Sequence, residues 1–339
     1  MNNIYKIKKG RGKGMNTVKK VTSLFLTLCM LYLPVGACAQ DAMYISSDFN
    51  NSVIPKGTTT TPTDEYWNAS IKLAPETVGS MEGVKGVFGK SKEDQSIRLT
   101  ADATAGQQKK PNLWMRQKSL SGTVTLEANL CPAQNMRTII SMKIGGNWGT
   151  NGNDLLYLEN NDNAFTVTSF KQPIASLAEY RSDKWYHIAA EFFETMQYNL
   201  YIDGVKVVDM GTLPYAAADI SDLDFKFYLD TKKLGGTDSM YLDDIKLYAG
   251  TFDASKAIAS VDSDVYTIEN QTIQIPSGVA AEQLHQNVTV SEGATAKILN
   301  ARAEEVTGNT RITKDMIYTV TASNGSALKV YTFDIQEAG

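Results

Sequence analysis

The chain has 339 residues, with 33 Lys and Arg, 37 Asp and Glu, only 2 His, and a net charge of −4. Its apolar content of 42% is that of an ordinary globular protein, and its length allows two domains. An acidic chain argues against nucleic acid and anionic lipid surfaces as partners.

Residues 1–39 have the pattern of a secretory signal: a basic start, an apolar stretch over residues 21–35, and the small residues Ala37-Cys38-Ala39 before Gln40. Residues 35–38 also fit a bacterial lipobox, in which Cys38 is lipidated and becomes the new N-terminus. The sequence does not distinguish simple signal cleavage from lipidation at Cys38. We therefore expect either an outer-membrane or cell-surface lipoprotein, or a periplasmic or secreted protein. A lipid at Cys38 is the only membrane attachment we expect.

Removal of this signal makes the chain more acidic. The segment holds seven basic residues and no Asp or Glu, so 26 basic and 37 acidic residues follow it, a net charge of −11. It also holds two of the three cysteines, which leaves Cys131 alone. We therefore expect no intramolecular disulfide and interpret Cys131 as a small buried hydrophobe.

Residues 40–250 give almost only β signals. Short alternating or apolar runs recur between turn-rich stretches, and no long amphipathic helix is evident, which predicts an all-β sandwich or jelly roll. Asp203-Gly204 separates two runs rich in β-branched and aromatic residues and predicts a two-residue hairpin with a type I′ turn.

A second unit is predicted after a linker. Residues 251–260 are small and lack a pattern, and residues 261–339 read as a β-sandwich of immunoglobulin-like size. We expect one short helix over residues 279–287 and a hairpin around residues 323–326.

The first unit resembles a known fold family. The stretches WYHIAAEF at 185–192 and LYIDGVKVV at 200–208 resemble the laminin-G-like, concanavalin-type jelly rolls, with a Trp-led strand, a strand ending in Tyr-x-Asp-Gly, and a return strand. Residues 86–90 and 240–248 look like the Gly-rich entry and the last strand of that family. The resemblance implies the fold but leaves function open, because the fold carries adhesion modules, sugar binders, lyases and hydrolases.

The second unit looks like small Ig-like accessory domains of bacterial secreted polysaccharide-processing proteins, on the residues VYTI at 265–268 and IPSG at 275–278. Together the two resemblances predict an all-β protein: a laminin-G-like jelly-roll sandwich followed by a small Ig-like β-sandwich.

Catalytic signatures are scarce. No Glu-x-Asp-x-Glu strand is present to place two carboxylates on one face for glycoside hydrolysis, and adjacent acids such as Asp243-Asp244 are expected to point to opposite faces of a strand. A lyase needs a base, and His187 lies inside the Trp185 strand, where we expect a structural role. Arg116, Arg137, Asn147 and Tyr157 are candidates for a groove that the sequence alone does not assemble. These residue patterns favour a non-catalytic protein over an enzyme.

A structural calcium ion is a further expectation. First and last jelly-roll strands are often neighbours, and sugar-binding members of the family use such a position for calcium. The resemblance therefore implies that Asp48 and Asp243 come together as Ca²⁺ ligands, since calcium prefers hard oxygen donors. The alternative is that Asp48 ends a strand and Asp243 contacts backbone.

Two sets of residues are candidates for a sugar platform. The loop over residues 145–153 places a tryptophan among Gly and Asn, and its candidates are Trp148, Asn147, Asn151 and Asn153. The second set is Trp114 with Arg116. Aromatic faces stack on the apolar faces of pyranose rings, while amide and charged groups supply hydrogen bonds. Asn-rich loops are also simply good turns.

The sequence thus predicts an exported, non-catalytic carbohydrate-binding or adhesion protein whose partner is a glycan. A jelly-roll polysaccharide lyase or glycoside hydrolase is one alternative. A structural or protein-binding cell-surface component is the other.

Overall fold

The computed structural model describes residues 42–50, 79–102, 112–147, 149, 152–161, 164–174, 182–216, 219–230 and 236–337. They belong to one compact unit that starts at Ala42. Within this part of the chain, no helix combines the length and apolarity that crossing a bilayer requires. Cys38, Trp148 and Asn151 lie outside the described residues.

The first part of the fold is a sandwich of antiparallel strands. Its strands in the described residues are β1 (Met43–Ser47), β2 (Gly79–Lys85), β3 (Gln95–Asp102), β4 (Asn112–Lys118), β5 (Val124–Cys131), β6 (Arg137–Ile144), β7 (Asp154–Asn161), β8 (Ala164–Ser169), β9 (Gln172–Pro173), β10 (Tyr186–Phe193), β11 (Gln197–Ile202), β12 (Val205–Thr212), β13 (Asp222–Asp230) and β14 (Thr237–Ala249).

Two sheets face each other across one core. The eight-stranded sheet has the order β12-β11-β10-β5-β14-β3-β2, with β1 paired to the second half of β14, and the six-stranded sheet has the order β4-β13-β6-β7-β8-β9. Alternate residues of both sheets, such as Leu126, Ile188 and Phe225, fill the space between them. This is the all-β jelly-roll sandwich predicted from the sequence.

The β11–β12 hairpin turns at Asp203 and Gly204 as predicted. Both residues have positive φ, 50° and 77°, which a type I′ turn requires. Trp185, which directly precedes β10, is buried as expected, and its Nε1 donates to the carbonyl of Val87. Cys131 is also buried, and burial raises the pKa of its thiol.

The C-terminal part has its own core and a mixed sheet. Its elements are β15 (Val261–Asp262), β16 (Thr267–Glu269), β17 (Thr272–Pro276), α1 (Ala281–Asn287), β18 (Thr289–Val290), β19 (Thr295–Leu299), β20 (Glu305–Val306), β21 (Ile317–Thr321) and β22 (Leu328–Gln336). β16-β17-β22-β21-β19-β20 form one sheet in which β17 and β22 are parallel. The short helix lies where the sequence predicts it, and the Ig-like assignment stays a prediction.

Residues 251–260 pack against the jelly roll. Phe252 is buried against Tyr201 and His187, with ring centroids 4.9 and 5.6 Å apart. A 3₁₀ turn over Ala254–Ala257 follows, capped by Asp253. Together with the β21–β22 hairpin, this segment covers part of the outer face of the eight-stranded sheet, so the six-stranded sheet presents the other outer face of the sandwich.

Candidate functional site

Four neighbouring strands give the six-stranded sheet a polar outer face. Leu223, Phe225 and Phe227 of β13 point into the core, so Asp224 and Lys226 between them point outward. The same alternation holds on β4 and β6, which flank β13, and β7 pairs with β6 with one register shift between Ile140 and Ser141. We call this surface the polar face. Its charged and aromatic members are Trp114, Arg116 and Lys118 on β4; Asp222, Asp224, Lys226, Tyr228 and Asp230 on β13; Arg137 and Lys143 on β6; and Asp154, Tyr157 and Glu159 on β7.

Arg116 forms the centre of one network on the polar face. Its Nε donates to Asp222 Oδ1 over 3.0 Å, and its Nη2 donates to the other oxygen of the same carboxylate. Asp224, opposite Arg116 in the ladder, has its Oδ1 3.1 Å from the same Nε. Burial raises the pKa of Asp224, although Arg116 opposes this shift. Trp114, two residues before Arg116 on the same face, is half-buried, so an aromatic side chain stands beside a guanidinium–carboxylate group.

Arg137 forms a second network two strands further along the sheet. Its Nε donates to Glu159 Oε1 over 2.8 Å, and its Nη1 lies 3.6 Å from Asp230 Oδ2. The Tyr157 hydroxyl donates to the other oxygen of Glu159 over 2.9 Å, and the guanidinium lies 5.3 Å from the Tyr157 ring centroid. Burial raises the pKa of Tyr157, and its hydrogen bond to Glu159 adds to this shift. Tyr157 is therefore held as a neutral phenol.

Tyr228 lies between the two networks. It lies on β13 between the row of Arg116 and the row of Arg137, opposite Asn112 and Ile139. Its hydroxyl donates to Asp154 Oδ1 over 3.4 Å, and Lys226 Nζ lies 5.3 Å from its ring centroid. Burial raises its pKa as well. The polar face therefore alternates aromatic rings with charged hydrogen-bonding groups.

The loop predicted as a sugar platform begins at the edge of this face. Gly145 N donates to the carbonyl of Asp222 over 2.8 Å, which fixes the start of the loop at the Arg116 end of the sheet. Asn147 is exposed there. Asn153 instead caps the loop, because its Oδ1 accepts from Gly149 N over 2.6 Å. Trp148 and Asn151, which lie outside the described residues, stay predictions.

The sequence found part of this face. Trp114, Arg116, Arg137 and Tyr157 were candidates, and the structure places them on one surface with Asn147 at its edge. Sequence reasoning missed Asp224 and its neighbours on β13. Their signal is present in DLDFKFYLD, where four apolar residues alternate with polar and aromatic ones, but it becomes informative only when the strand's neighbours are known.

Of the proposed calcium ligands, Asp48 directly follows β1 and Asp243 lies on β14, and these two strands pair as expected. Asp243, however, is fully buried and already has partners: its Oδ2 accepts from Lys90 Nζ and Ser96 Oγ, each over 2.7 Å, and its Oδ1 accepts from Asp244 N. Asp48 Oδ1 accepts from Asn50 N over 3.1 Å. The Asp243 carboxylate thus does not fit a calcium ion unless the Lys90 ammonium leaves, and Ca²⁺ binding by these two residues stays a prediction.

Asp244 corrects one expectation. Its carboxylate Oδ2 accepts from the same Lys90 Nζ over 3.1 Å, so the adjacent acids do not point to opposite sides. The register shift that follows Asp243 and the positive φ of Asp244, 48°, are the reason, because a bulge breaks the strict alternation of a strand.

Asp48 and Asp244 line one polar cleft of about 640 Å³. Among the residues that the structure describes, no three His, Cys, Asp or Glu converge as a metal site.

His187 is structural, as expected. It is buried, and its Nε2 lies 2.8 Å from Glu127 Oε2. The ring stacks on Phe252 of the segment that covers it. Asn324, from the C-terminal hairpin, donates to the same Glu127 oxygen over 3.4 Å. This cluster joins the two parts of the fold, whereas the polar face lies on the other sheet.

Comparison with known proteins adds likenesses of fold. No family model and no curated protein matches the chain. Among solved structures it is similar to a sialidase, with a TM-score of 0.39 and 15% identity over 64% of this chain and 19% of the sialidase. It is also similar to an endo-β-1,4-glucuronan lyase from the fungus Trichoderma reesei, with a TM-score of 0.38 and 13% identity over 54% of this chain and 92% of the lyase.

A third solved structure is the alginate lyase Aly36B, a mutant in complex with an alginate tetrasaccharide. Its TM-score is 0.35, with 10% identity over 62% of this chain and 98% of the lyase. Likenesses of this size do not determine what this chain binds.

Proposed function

We propose that this protein is an exported, non-catalytic glycan-binding protein and that the polar face is its binding surface. The observation that carries the proposal is the half-buried Trp114 next to the Arg116–Asp222–Asp224 network. A half-buried indole offers an apolar surface to a pyranose ring, and the neighbouring ion pair offers donors and acceptors to its hydroxyl groups. Tyr157 and Tyr228 extend the surface across the sheet.

The second network favours binding over lyase chemistry. A lyase needs a side chain that takes a proton near neutral pH. The Tyr157 hydroxyl donates to Glu159, and its raised pKa keeps it protonated. Arg137 lies between two carboxylates instead of facing an unpaired site. Tyr157 and Arg137 are therefore already engaged with carboxylates and do not present the unpaired base and cation of a lyase.

A glycoside hydrolase is a second candidate, favoured by one observation. Asp222 and Asp224 are two residues apart on one strand and share a face, and burial raises the pKa of Asp224. Hydrolysis uses one carboxyl group with a raised pKa beside an ionised one. Against this, Arg116 contacts both carboxylates. Binding without turnover remains our first proposal.

The test is a glycan array probed with the purified protein, once with calcium and once with EDTA, followed by incubation with any glycan that binds. We expect selective binding that Trp114→Ala abolishes and Trp114→Phe largely keeps, because phenylalanine retains an aromatic face. We expect no increase of reducing ends or unsaturated uronates with time. Turnover that Asp224→Asn abolishes would favour the hydrolase. Loss of binding in EDTA would support the calcium prediction.

If the folded protein binds no glycan on the array, the proposed function is wrong, and a structural or protein-binding surface component becomes the favoured alternative. Export is part of the proposal. Membrane fractionation distinguishes lipidation at Cys38 from simple cleavage of the signal. A Cys38→Ser variant that leaves the membrane fraction indicates the lipoprotein, and one that fractionates like the unchanged protein indicates signal cleavage.

A further inference from the structure

Opposite charges alternate across the polar face. Asp230, Arg137 and Glu159 form one cross-strand row, and Arg116, Asp224 and Lys143 form another. Counted over the described residues of its four strands, the face carries five Lys and Arg and five Asp and Glu. These four strands therefore carry no net charge of their own to attract a charged glycan from solution.

The guanidinium groups are also paired locally. Arg116 contacts Asp222 and Asp224, and Arg137 contacts Glu159 and Asp230. A sugar carboxylate or sulfate that approached either arginine would meet two carboxylates at the same place. Like charges in contact disfavour binding, so this pairing selects against anionic sugars.

One polar atom in the first network lacks a hydrogen bond. Asp224 Oδ1 is buried and accepts no hydrogen bond, although it forms an ion pair with Arg116 Nε, 3.1 Å away. The reason is that Nε carries a single hydrogen, which is directed at Asp222 Oδ1. A buried acceptor without a donor costs free energy, and a ligand hydroxyl that donates to it removes that cost.

We propose that the polar face selects a neutral glycan with vicinal hydroxyl groups and that Asp224 and Arg116 read those hydroxyls. One hydroxyl donates to Asp224 Oδ1 as the long, partly exposed Arg116 side chain shifts, and its neighbour accepts from the guanidinium. Trp114, two residues away on β4, supports the apolar face of the same ring. This inference rests on the proposed glycan-binding function and names the ligand class and the residues that set it.

The test compares neutral polysaccharides with uronate-containing and sulfated ones on the array, at low and high salt. We expect binding of neutral glycans only, with affinity changing less than about twofold between the two salt conditions because no net charge is neutralised. This part needs no variant. Asp224→Asn is then expected to weaken binding at least about tenfold, because it removes a charged acceptor from a ligand hydrogen bond.

The matched control is Asp209→Asn, which removes an exposed carboxylate from β12 on the other sheet. Thermal unfolding of each variant checks that it is folded. If Asp224→Asn does not fold, Arg116→Gln replaces it as the test variant. Salt-sensitive binding of an anionic glycan overturns the neutral selection and leaves glycan binding standing. Equal affinity of Asp224→Asn for a neutral glycan overturns the role of Asp224. No binding to any glycan overturns the proposed function itself.

Discussion

At the scale of single residues, Lys90 is a buried cation that faces three carboxylates. Its ammonium group is buried and lies 2.7 Å from Asp243, 3.1 Å from Asp244 and 3.6 Å from Asp94. Lys90→Met keeps the side-chain volume and leaves these carboxylates without their cation. Removing one partner of a buried ion pair costs ~3–5 kcal/mol, and we expect a loss of that size in the free energy of unfolding, measured in urea.

Lys92→Met is the matched control. Lys92 lies 3.1 Å from Glu304, but the two side chains are 54% and 40% exposed. An exposed ion pair contributes ~0–1 kcal/mol, so the control should lose little. Equal losses in the two variants would show that the burial of Lys90 does not matter.

The sequence predicted part of this arrangement. The pairing of the first strand with the last was expected, and the structure shows it. The partner of Asp243 was not, because Lys90 is 153 residues away along the chain and lies in a turn. No local pattern predicts such a contact. The bulge at Asp244 was also not predictable from the sequence, because most Asp residues have a negative φ.

At the scale of the element, the β11–β12 hairpin depends on Gly204. Its φ of +77° is costly for a residue with a Cβ, and a Cβ there would lie 3.3 Å from the carbonyl oxygen of Ala254. We expect Gly204→Ala to lower the free energy of unfolding by ~1–2 kcal/mol from backbone strain, with a further loss from that contact. Urea unfolding measures both together.

Gly122→Ala separates the two causes. Gly122 has a similar φ of +70°, and a Cβ at this position meets nothing within 4 Å. The control therefore carries the backbone strain alone. A loss in Gly204→Ala no larger than in Gly122→Ala would mean that the covering segment yields to the added methyl group.

Strands were predictable, and their neighbours were not. The hairpin followed from Asp203-Gly204, because a two-residue turn joins strands that are adjacent in the chain. The polar face needs β13 between β4 and β6, which brings Arg116 to an aspartate 106 residues later. Periodicity tells which side chains share a face of one strand. It does not tell which strands lie side by side, so Arg116 was a candidate and its network was not.

At the scale of the whole molecule, a buried polar cluster connects the jelly roll to the C-terminal part. Glu127 lies on the outer face of the eight-stranded sheet, where it accepts from Tyr248 and Asn324 and lies 2.8 Å from His187 Nε2. Lys246 lies close to this carboxylate and donates to Asn324 O over 3.3 Å. The two parts are therefore held together by groups around one carboxylate, not only by the apolar contacts of Phe252.

This carboxylate makes the stability of the molecule depend on pH. Burial raises the pKa of Glu127, but the hydrogen bonds from His187 and Tyr248 and the charge of Lys246 outweigh burial, so its pKa is lowered from 4.5. A carboxyl group with a lowered folded-state pKa stabilises the folded state above its unfolded pKa. That contribution is lost as the pH falls from 4.5 through the lowered value.

Glu127→Gln removes this titration and leaves the shape of the side chain. We expect the variant to be less stable than the unchanged protein at neutral pH, and we expect the difference in unfolding free energy to shrink at acid pH, because the unchanged protein also becomes neutral at this position. Urea unfolding at several pH values measures the difference. Glu93→Gln, at a side chain that is 78% exposed, should show no such convergence. A difference between Glu127→Gln and the unchanged protein that stays constant from neutral to acid pH would mean that the contact between the two parts does not depend on the charge of Glu127.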